Sequence, residues 1–482
     1  MSSDLLTIAR QFLLARWRFR RLQGSELERF QDHRAQVIIL HALRFAPYYV
    51  QHWKDFLNEG RPDKDQDWKT LPPVDKTAMM AYFDTFNSVG IGREQALTLA
   101  LKAEAERDFA PTLQGFTVGL SSGTSGQRGL FLVNRWEQSA WAGTLLARAL
   151  PPLRRRGYRV ALFLRSNSNL YERVRNRLIA FRYFDLMVPL EDAVQQLDFY
   201  QPDILVGPPS LLVALAANQR AGLLHIKPVK IISVAEVLES ADRLDIETTF
   251  KEPVGEIYQA TEGLIGVTCP YGSLHVQEDL VALQLEPIDL LQPKYVTPIL
   301  TDLWRTTQPI IRYRLDDIWI MDNAPCRCGS AFRVIKQVVG RCSDILYFYS
   351  IQSSNDLASK LEVSELLSDE ILSSEIPLTK LRSVFPDVMQ SILFFGIATK
   401  DEQAILDYRI YQERPVHLRV HLALSKPGFQ TISQAMQIRI KTWLQKHDCR
   451  CDDLVIEQGL EPLPPGMKRQ RVRNLYGRKT RQ

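Results

Sequence analysis

The stretch from Tyr158 to Ser233 constrains the fold more than any other part of the chain. Tyr158-Arg159-Val160-Ala161-Leu162-Phe163-Leu164, Ile204-Leu205-Val206-Gly207 and Val229-Lys230-Ile231-Ile232-Ser233 are short apolar runs rich in β-formers. Patterns of helical period, as over 209–217, separate them. Strand and helix in alternation build a parallel α/β sheet. In open sheets of this kind, ligands sit beyond the carboxyl ends of the strands. The loops of interest are therefore Arg165-Ser166-Asn167-Ser168-Asn169, Pro208-Pro209-Ser210 and Ala235-Glu236. Arg165, Asn167 and Asn169 carry donors for a polar substrate, and they equally suit capping of the next helix.

Other segments flank this unit. Over 4–60, apolar residues such as Leu5, Ile8, Phe12, Val37 and Leu40 recur at helical spacing, which predicts a helical opening. Arg16, Arg18, Arg20 and Arg21 cluster there, either to meet a membrane or acidic partner or as a solvated helix face. A helix is predicted over 135–150 and a strand over Val296–Leu303. Beyond 341 the pattern changes to α+β, with strands at Ile392–Ile397 and Val416–Leu422 and a helix over 431–446.

At 482 residues the chain has room for about three domains. A net charge of +5 is too slight to imply a nucleic-acid partner. No apolar run reaches the ~18 residues of a membrane span, and the first twenty residues lack a signal-peptide core. A cytoplasmic protein is expected. The Cys326-Arg327-Cys328 spacing is too tight for a comfortable disulfide and suits metal ligation in a reducing compartment.

Chemistry concentrates in a few short motifs. Ser121-Ser122-Gly123-Thr124-Ser125-Gly126-Gln127-Arg128-Gly129 lies between two apolar runs. Its glycines allow a tight bend that turns N–H groups onto an anion, its hydroxyls add donors, and Arg128 supplies a positive charge. Phosphate binding and a plain Ser/Gly surface turn both fit this loop taken alone. Tyr258-Gln259-Ala260-Thr261-Glu262-Gly263 offers a ring to stack on a base, then a hydroxyl and a carboxylate for phosphate and Mg²⁺. Taken alone it also fits a strand end and a turn. Cys269, His275, Cys326 and Cys328 make a full tetrahedral Zn²⁺ set with no open position, hence a structural site; buried free thiols are the other reading. Lys468 sits in a basic tail with Arg469, Arg471 and Arg473.

The order of these motifs resembles the adenylate-forming superfamily of acyl-CoA synthetases and adenylation domains. The loop at 121–129 resembles its phosphate loop. Ala235-Glu236 resembles its adenine-side loop, Ile310–Ile318 its Y-R-T-G-D, Val339–Asp344 its G-R-x-D-D hinge, and Lys468–Val472 its G-K-x-x-R-V ending. Ala46-Pro47-Tyr48-Tyr49, Leu71–Lys76, and the Cys/His pieces resemble the phenylacetate-CoA ligase and coenzyme F390 synthetase branch. The chain departs from the pattern at Ser125, Leu315-Asp316 and the pivot position Ser343.

The resemblance implies a large AMP-binding domain over 1–341, with a helical region 1–100 and a zinc-type region near 269–328. A hinge joins it to a small, mobile α+β domain over 342–482. It implies that Ser121, Ser122, Gly123, Thr124, Ser125, Gly126, Ala235 and Glu236 hold the nucleotide. Tyr258 stacks on adenine, Thr261 contacts the α-phosphate and Glu262 ligates Mg²⁺. Asp317 accepts the ribose hydroxyls, Arg341 contacts ribose or phosphate, and Lys468 serves adenylation. The implied activity is ATP-dependent conversion of a small-molecule acid to an acyl-AMP. Transfer then follows to an amine or to a thiol of CoA or an acyl carrier protein. Two alternatives remain at this level: AMP transfer to a hydroxyl, as in coenzyme F390 synthetase, and a catalytically inactive zinc-stabilised binding protein.

Overall fold

The computed structural model describes residues 3–58, 61–62, 67–121, 128–152, 154–166, 179–351, 381–394, 405–425, 427–461 and 467–476. The chain opens with helices α1 (Ser3–Arg21), α2 (Gly24–Phe45) and α3 (Pro47–His52). A small hairpin, β1 (Leu57–Asn58) and β2 (Arg61–Pro62), leads to α4 (Lys76–Ala81), α5 (Phe83–Phe86) and α6 (Arg93–Glu106). Pro72 and Pro73 break the chain before α4, and Asp75 caps it by accepting from Ala78 N at 2.8 Å.

Strands β3 (Thr117–Leu120) and β4 (Leu130–Val133) pair antiparallel, so the Ser/Gly motif is the loop of a hairpin. Helix α7 (Arg135–Ala149) follows directly, started by a capping box between Asn134 and Glu137. Gly143 of α7 lets α1 approach closely, since a Cβ there would stand 2.5 Å from Ile8 O.

The alternating region then forms β5 (Tyr158–Leu164), β6 (Ile179–Asp185), α8 (Leu190–Tyr200), β7 (Ile204–Gly207), α9 (Pro209–Arg220), β8 (Lys230–Val234), α10 (Ser240–Phe250) and β9 (Val254–Ala260). The five strands lie in the order β6-β5-β7-β8-β9, all parallel. Helices covering the sheet explain the near-continuous apolar reading of β5, β7 and β8.

Beyond β9 the sheet turns antiparallel, through β10 (Gly263–Thr268), β11 (Leu274–Val276), β12 (Val281–Pro287), β13 (Val296–Asp302), β14 (Tyr313–Arg314), β15 (Asp317–Asp322) and β16 (Val334–Arg341). Together these make one mixed sheet of twelve strands among the described residues.

A small C-terminal domain follows, with its own core around Leu346, Phe348, Leu418, Val420, Met436 and Ile440. It contains β17 (Leu346–Ser350), β18 (Leu381–Val384), α11 (Pro386–Phe394), β19 (Ile405–Arg414), β20 (His417–Leu424), α12 (Phe429–Lys446), β21 (Cys449–Arg450), β22 (Asp453–Gln458) and β23 (Val472–Asn474). The expected α/β class with a smaller α+β domain is thus found.

One element differs from expectation. Ile392, read as the start of a strand, lies in α11, and residues 395–397 fall outside the described set. Met389, Ile392 and Leu393 recur at helical spacing and are all buried, so packing on α12 selects the helix over the short apolar run's β-propensity.

Candidate active site

The parallel strands end at one rim, and their outgoing loops surround a cleft of 3310 Å³. An ordinary small-molecule site occupies about 300–1,000 Å³, so this cleft has room for a nucleotide and a second substrate. Strand order reverses at β5, which has β6 on one side and β7 on the other. Ligand crevices form at such switch points. Lys76, Ser121, Arg165, Ala235, Glu236, Tyr258, Thr261, Glu262, Asp317, Arg341 and Lys468 all line the cleft.

The hairpin loop is described only at its neck; Ser122, Gly123, Thr124, Ser125 and Gly126 lie outside the described residues. Ser121 N donates to Gly129 O at 2.8 Å, and Ser121 Oγ accepts from Gly129 N at 2.7 Å. Arg128 does not offer a spare charge. Its guanidinium donates to Ser121 O and forms a two-pronged pair with Glu104 of α6. Burial pushes the Glu104 carboxyl up, but Arg128 outweighs it and holds the group below its ordinary value.

A positive charge at this loop comes from Lys76, at the first position of α4. A Cβ on Gly129 would stand 3.3 Å from Lys76 Cε. Burial lowers the pKa of Lys76, with Glu262 opposing and Arg341 reinforcing the shift. Lys76 was legible only as part of the Leu71–Lys76 stretch. Its place in the cleft depends on the α4 cap and on Val74, which bridges to Tyr313 of β14.

Ala235 follows β8 at φ 70°, a left-handed conformation that costs a non-glycine residue of order 1 kcal/mol. The turn is closed by Glu236 N donating to Val234 O at 2.9 Å. It aims Glu236 across the rim, where its carboxylate accepts from Ser210 N at 3.3 Å and from Arg469 N at 3.0 Å. Glu236 thus joins the start of α9 to the C-terminal segment.

Tyr258, in β9, donates its hydroxyl to Asp317 at the start of β15. Trp319 Nε1 lies 3.4 Å from the same hydroxyl, with the two rings edge to face at 5.6 Å. Burial and then the Asp317 charge raise the Tyr258 pKa well above its usual value. Thr261 and Glu262 make the β9–β10 turn, Thr261 Oγ1 donating to Glu262 Oε2 at 3.0 Å. Glu262 is 8 % exposed. Arg305, which no sequence motif singled out, donates to Thr261 O at 2.6 Å and to Gln308 Oε1 at 2.9 Å, fixing this turn from below.

Arg341 ends β16, 4.0 Å from the Asp317 carboxylate. The hinge motif then forms a single 3₁₀ turn, Cys342–Asp344. Ser343 donates to Asp344 at 3.3 Å, and Asp344 accepts from Gln470. Burial pushes Asp344 up to about 6, against the pull of Arg341. Lys468 reaches the cleft from the small domain. Burial brings its pKa down to about 8; Arg341 and Lys76 add to the fall, while Glu236 and Asp317 oppose it.

The four sulfur and nitrogen donors gather where β11 pairs with β16. Cys269, His275, Cys326 and Cys328 place one ligand atom each, all within 4.8 Å of one another. Cys269 Sγ is 3.7 Å from Cys326 Sγ, and Cys328 Sγ is 3.3 Å from His275 Nε2. Zinc–sulfur bonds of about 2.3 Å place sulfurs about 3.8 Å apart in a tetrahedron, so the set fits that ion. His275 Nδ1 bonds Phe332 O at 2.8 Å, which leaves Nε2 toward the thiols.

On β6, Phe181 lines the cleft. Phe184 instead stacks on Phe163 in the core, and the Tyr183 hydroxyl bonds Leu164 O. Tyr171, Asn167 and Asn169 lie outside the described residues. Trp136, Trp141 and Phe131 line the cleft without any sequence signal beyond helical or strand period.

No family model matches the sequence. Protein CapK of Staphylococcus aureus is 26% identical over 180 residues, which are 36% of this chain and 39% of CapK. The match therefore spans well under half of that relative. Among solved structures, 2-hydroxyisobutyryl-CoA ligase in the postadenylation state, in complex with R3-HIB-AMP, is 16% identical with a TM-score of 0.64. The match covers 95% of this chain and 91% of that one. The same enzyme in an open conformation with 2-HIB-AMP and CoA gives 16% identity and a TM-score of 0.54, over 93% and 91% of the chains. The chain shares its fold with 2-hydroxyisobutyryl-CoA ligase, over nearly the whole length of both chains.

Proposed function

We propose that this chain is an AMP-forming ligase, which adenylates a small-molecule carboxylic acid with ATP and passes the acyl group to a thiol. The observation that carries the reading is the meeting of Lys468 from the small domain with Asp317, Glu236 and Arg341 of the large domain, in a cleft that also holds Lys76, Tyr258 and Glu262. The fold shared with CoA ligases supports it.

In this reading the phosphate chain lies over the hairpin loop at 121–129, with Lys76 beside the loop neck. The ring of Tyr258 packs on the base and Asp317 accepts from the ribose hydroxyls, acceptors being all that a carboxylate offers. Glu262 is the residue to hold Mg²⁺, which neutralises phosphate charge when bound. A substrate carboxylate oxygen attacks the α-phosphorus, the bond to the bridging oxygen breaks, and pyrophosphate leaves with the electron pair. Lys468 and Lys76 stabilise the negative charge that shifts during this step. Positioning and preorganised charge do the work, with no protein nucleophile. The sulfur of CoA or a carrier protein, having given up its proton, then attacks the acyl carbonyl carbon, and AMP leaves with the electron pair of the broken carbon–oxygen bond. The small domain over 342–482 turns about the 3₁₀ turn at Ser343 between the two steps. Zn²⁺ at Cys269, His275, Cys326 and Cys328 is structural, because protein fills all four positions.

ATP–pyrophosphate exchange with a panel of aromatic, fatty and hydroxy acids tests the reading. Exchange that depends on one class of acid, and is lost in Lys468→Ala, is expected. Absence of exchange with every acid, despite ATP binding, overturns it.

A further inference from the structure

We propose that the outer face of α1 docks on an anionic lipid surface. The four arginines noted near the N-terminus do not act together. Arg18 turns inward, 3.9 Å from Asp279 and 4.7 Å from the centre of the Trp304 ring. Arg16, Arg20 and Arg21, with Arg10, turn outward. Between them runs an apolar stripe: Leu6, Leu13 and Trp17 are 56%, 67% and 56% exposed.

At about 100° per residue these three side chains fall within about 40° of one another around the helix. They cover about 16 Å of its length at 1.5 Å per residue. Arg10 and Arg21 flank the stripe on one side, Arg20 and Arg16 on the other. The single acidic residue of α1, Asp4, is held by two prongs of Arg135 at 2.7 and 2.9 Å. The outward face is therefore apolar and cationic without an acid.

This face is no core surface left uncovered by a loosely placed helix. The opposite side, with Gln11, Ala15, Arg18 and Leu22, is buried, and Gly143 seats α1 tightly on α7. A Leu/Trp stripe with long cationic side chains along both edges suits the lipid interface. The apolar tips enter the acyl boundary, Trp favours headgroup depth, and the arginines reach anionic headgroups. No described helix is long and apolar enough to cross a membrane, so the chain would lie on the bilayer. The site is independent of the adenylation chemistry.

Vesicle flotation with the full chain tests this. Phosphatidylcholine vesicles with and without phosphatidylglycerol are compared at about 0.05 M and about 0.5 M salt. The expected result is binding to the anionic vesicles alone, falling at high salt. Leu13→Glu with Trp17→Glu, and separately Arg20→Glu with Arg21→Glu, should each cut the bound fraction about tenfold at an unchanged melting temperature. No binding of the native chain at low salt overturns the proposal, as does equal binding by both variants. A dimer that the variants break, with no vesicle binding by the native chain, also overturns it and makes the face a protein contact.

Discussion

Arg471 of the small domain lies 2.5 Å from Glu239, the residue that precedes α10 of the large domain. The same guanidinium contacts Asp242 at 3.2 Å and Asp407 at 2.7 Å, and Arg469 binds Asp242 as well. Gln390 and Tyr408 complete the cluster by donating to Glu239. Burial raises the pKa of Glu239, and the charges of Arg471 and Arg469 oppose that rise. Lys468 sits one residue before Arg469, and this clamp fixes its approach to the cleft. Arg471→Gln leaves two buried carboxylates poorly compensated. The expected cost is about 3–5 kcal/mol in urea unfolding, with Glu239→Gln in the same chain recovering part of it. Equal stability of Arg471→Gln and the native chain would remove the clamp.

Lys468 sets a pH limit. Its ammonium loses charge as pH rises through about 8, so the proposed exchange reaction should decline above that pH. Lys468→Arg should lack this limb at whatever lower rate it retains, since a guanidinium does not titrate there. The folded-state pKa lies below the ordinary 10.5, so between the two values the unfolded chain binds more protons. Lys468 therefore costs stability in full below pH 8, and the cost is relieved as pH climbs from 8 to 10.5. Competitive acetylation of Lys468 across this range measures the pKa directly.

Lys76→Ala should reduce the exchange rate by about 10²–10³, the usual effect of removing one preorganised donor from developing charge. Arg128→Ala should act differently. It unties the loop neck from Glu104 and should show first as a lowered melting temperature. Steady-state kinetics and thermal melts of the two variants separate the roles.

Tyr258 and Asp317 share a hydrogen bond yet should not be equivalent toward nucleotide. Asp317→Ala removes the proposed ribose acceptors and should weaken AMP binding about 10- to 100-fold, the scale of hydrogen bonds to a charged group. Tyr258→Phe keeps the ring and should cost less than about tenfold. Isothermal titration with AMP decides, and the reverse order would reassign both residues.

Metal analysis of the purified chain should find one zinc. Its removal by a chelator, or Cys328→Ser, should lower the melting temperature by about 5–10 °C, since a few kcal/mol shifts a large domain by that much. Phe19 of α1 packs edge to face on His275 at 5.3 Å, so loosening of α1 on hydrogen exchange should accompany the loss.

Local sequence determined the elements whose own period is enough to specify them. Tyr158–Leu164, Ile204–Gly207 and α7 need only a run of β-formers, or a cap and a helical stripe, and each was readable at its place. The motif residues Tyr258, Glu262, Asp317, Arg341 and Lys468 stand out in the sequence by their chemistry, and all five line one cleft. Only tertiary structure decided which of them meet and with what charge. Arg128 and Lys76 show this best. Both are cations near the loop in space, but Glu104, twenty-four residues before Arg128, neutralises one, and burial beside Glu262 and Arg341 leaves the other facing the cleft. Burial and long-range partners fix the charge of a side chain, and neither is a property of the residues next to it in sequence. The same holds for α11, where packing overrode a short apolar run, and for α1, where four neighbouring arginines were divided between the core and the surface.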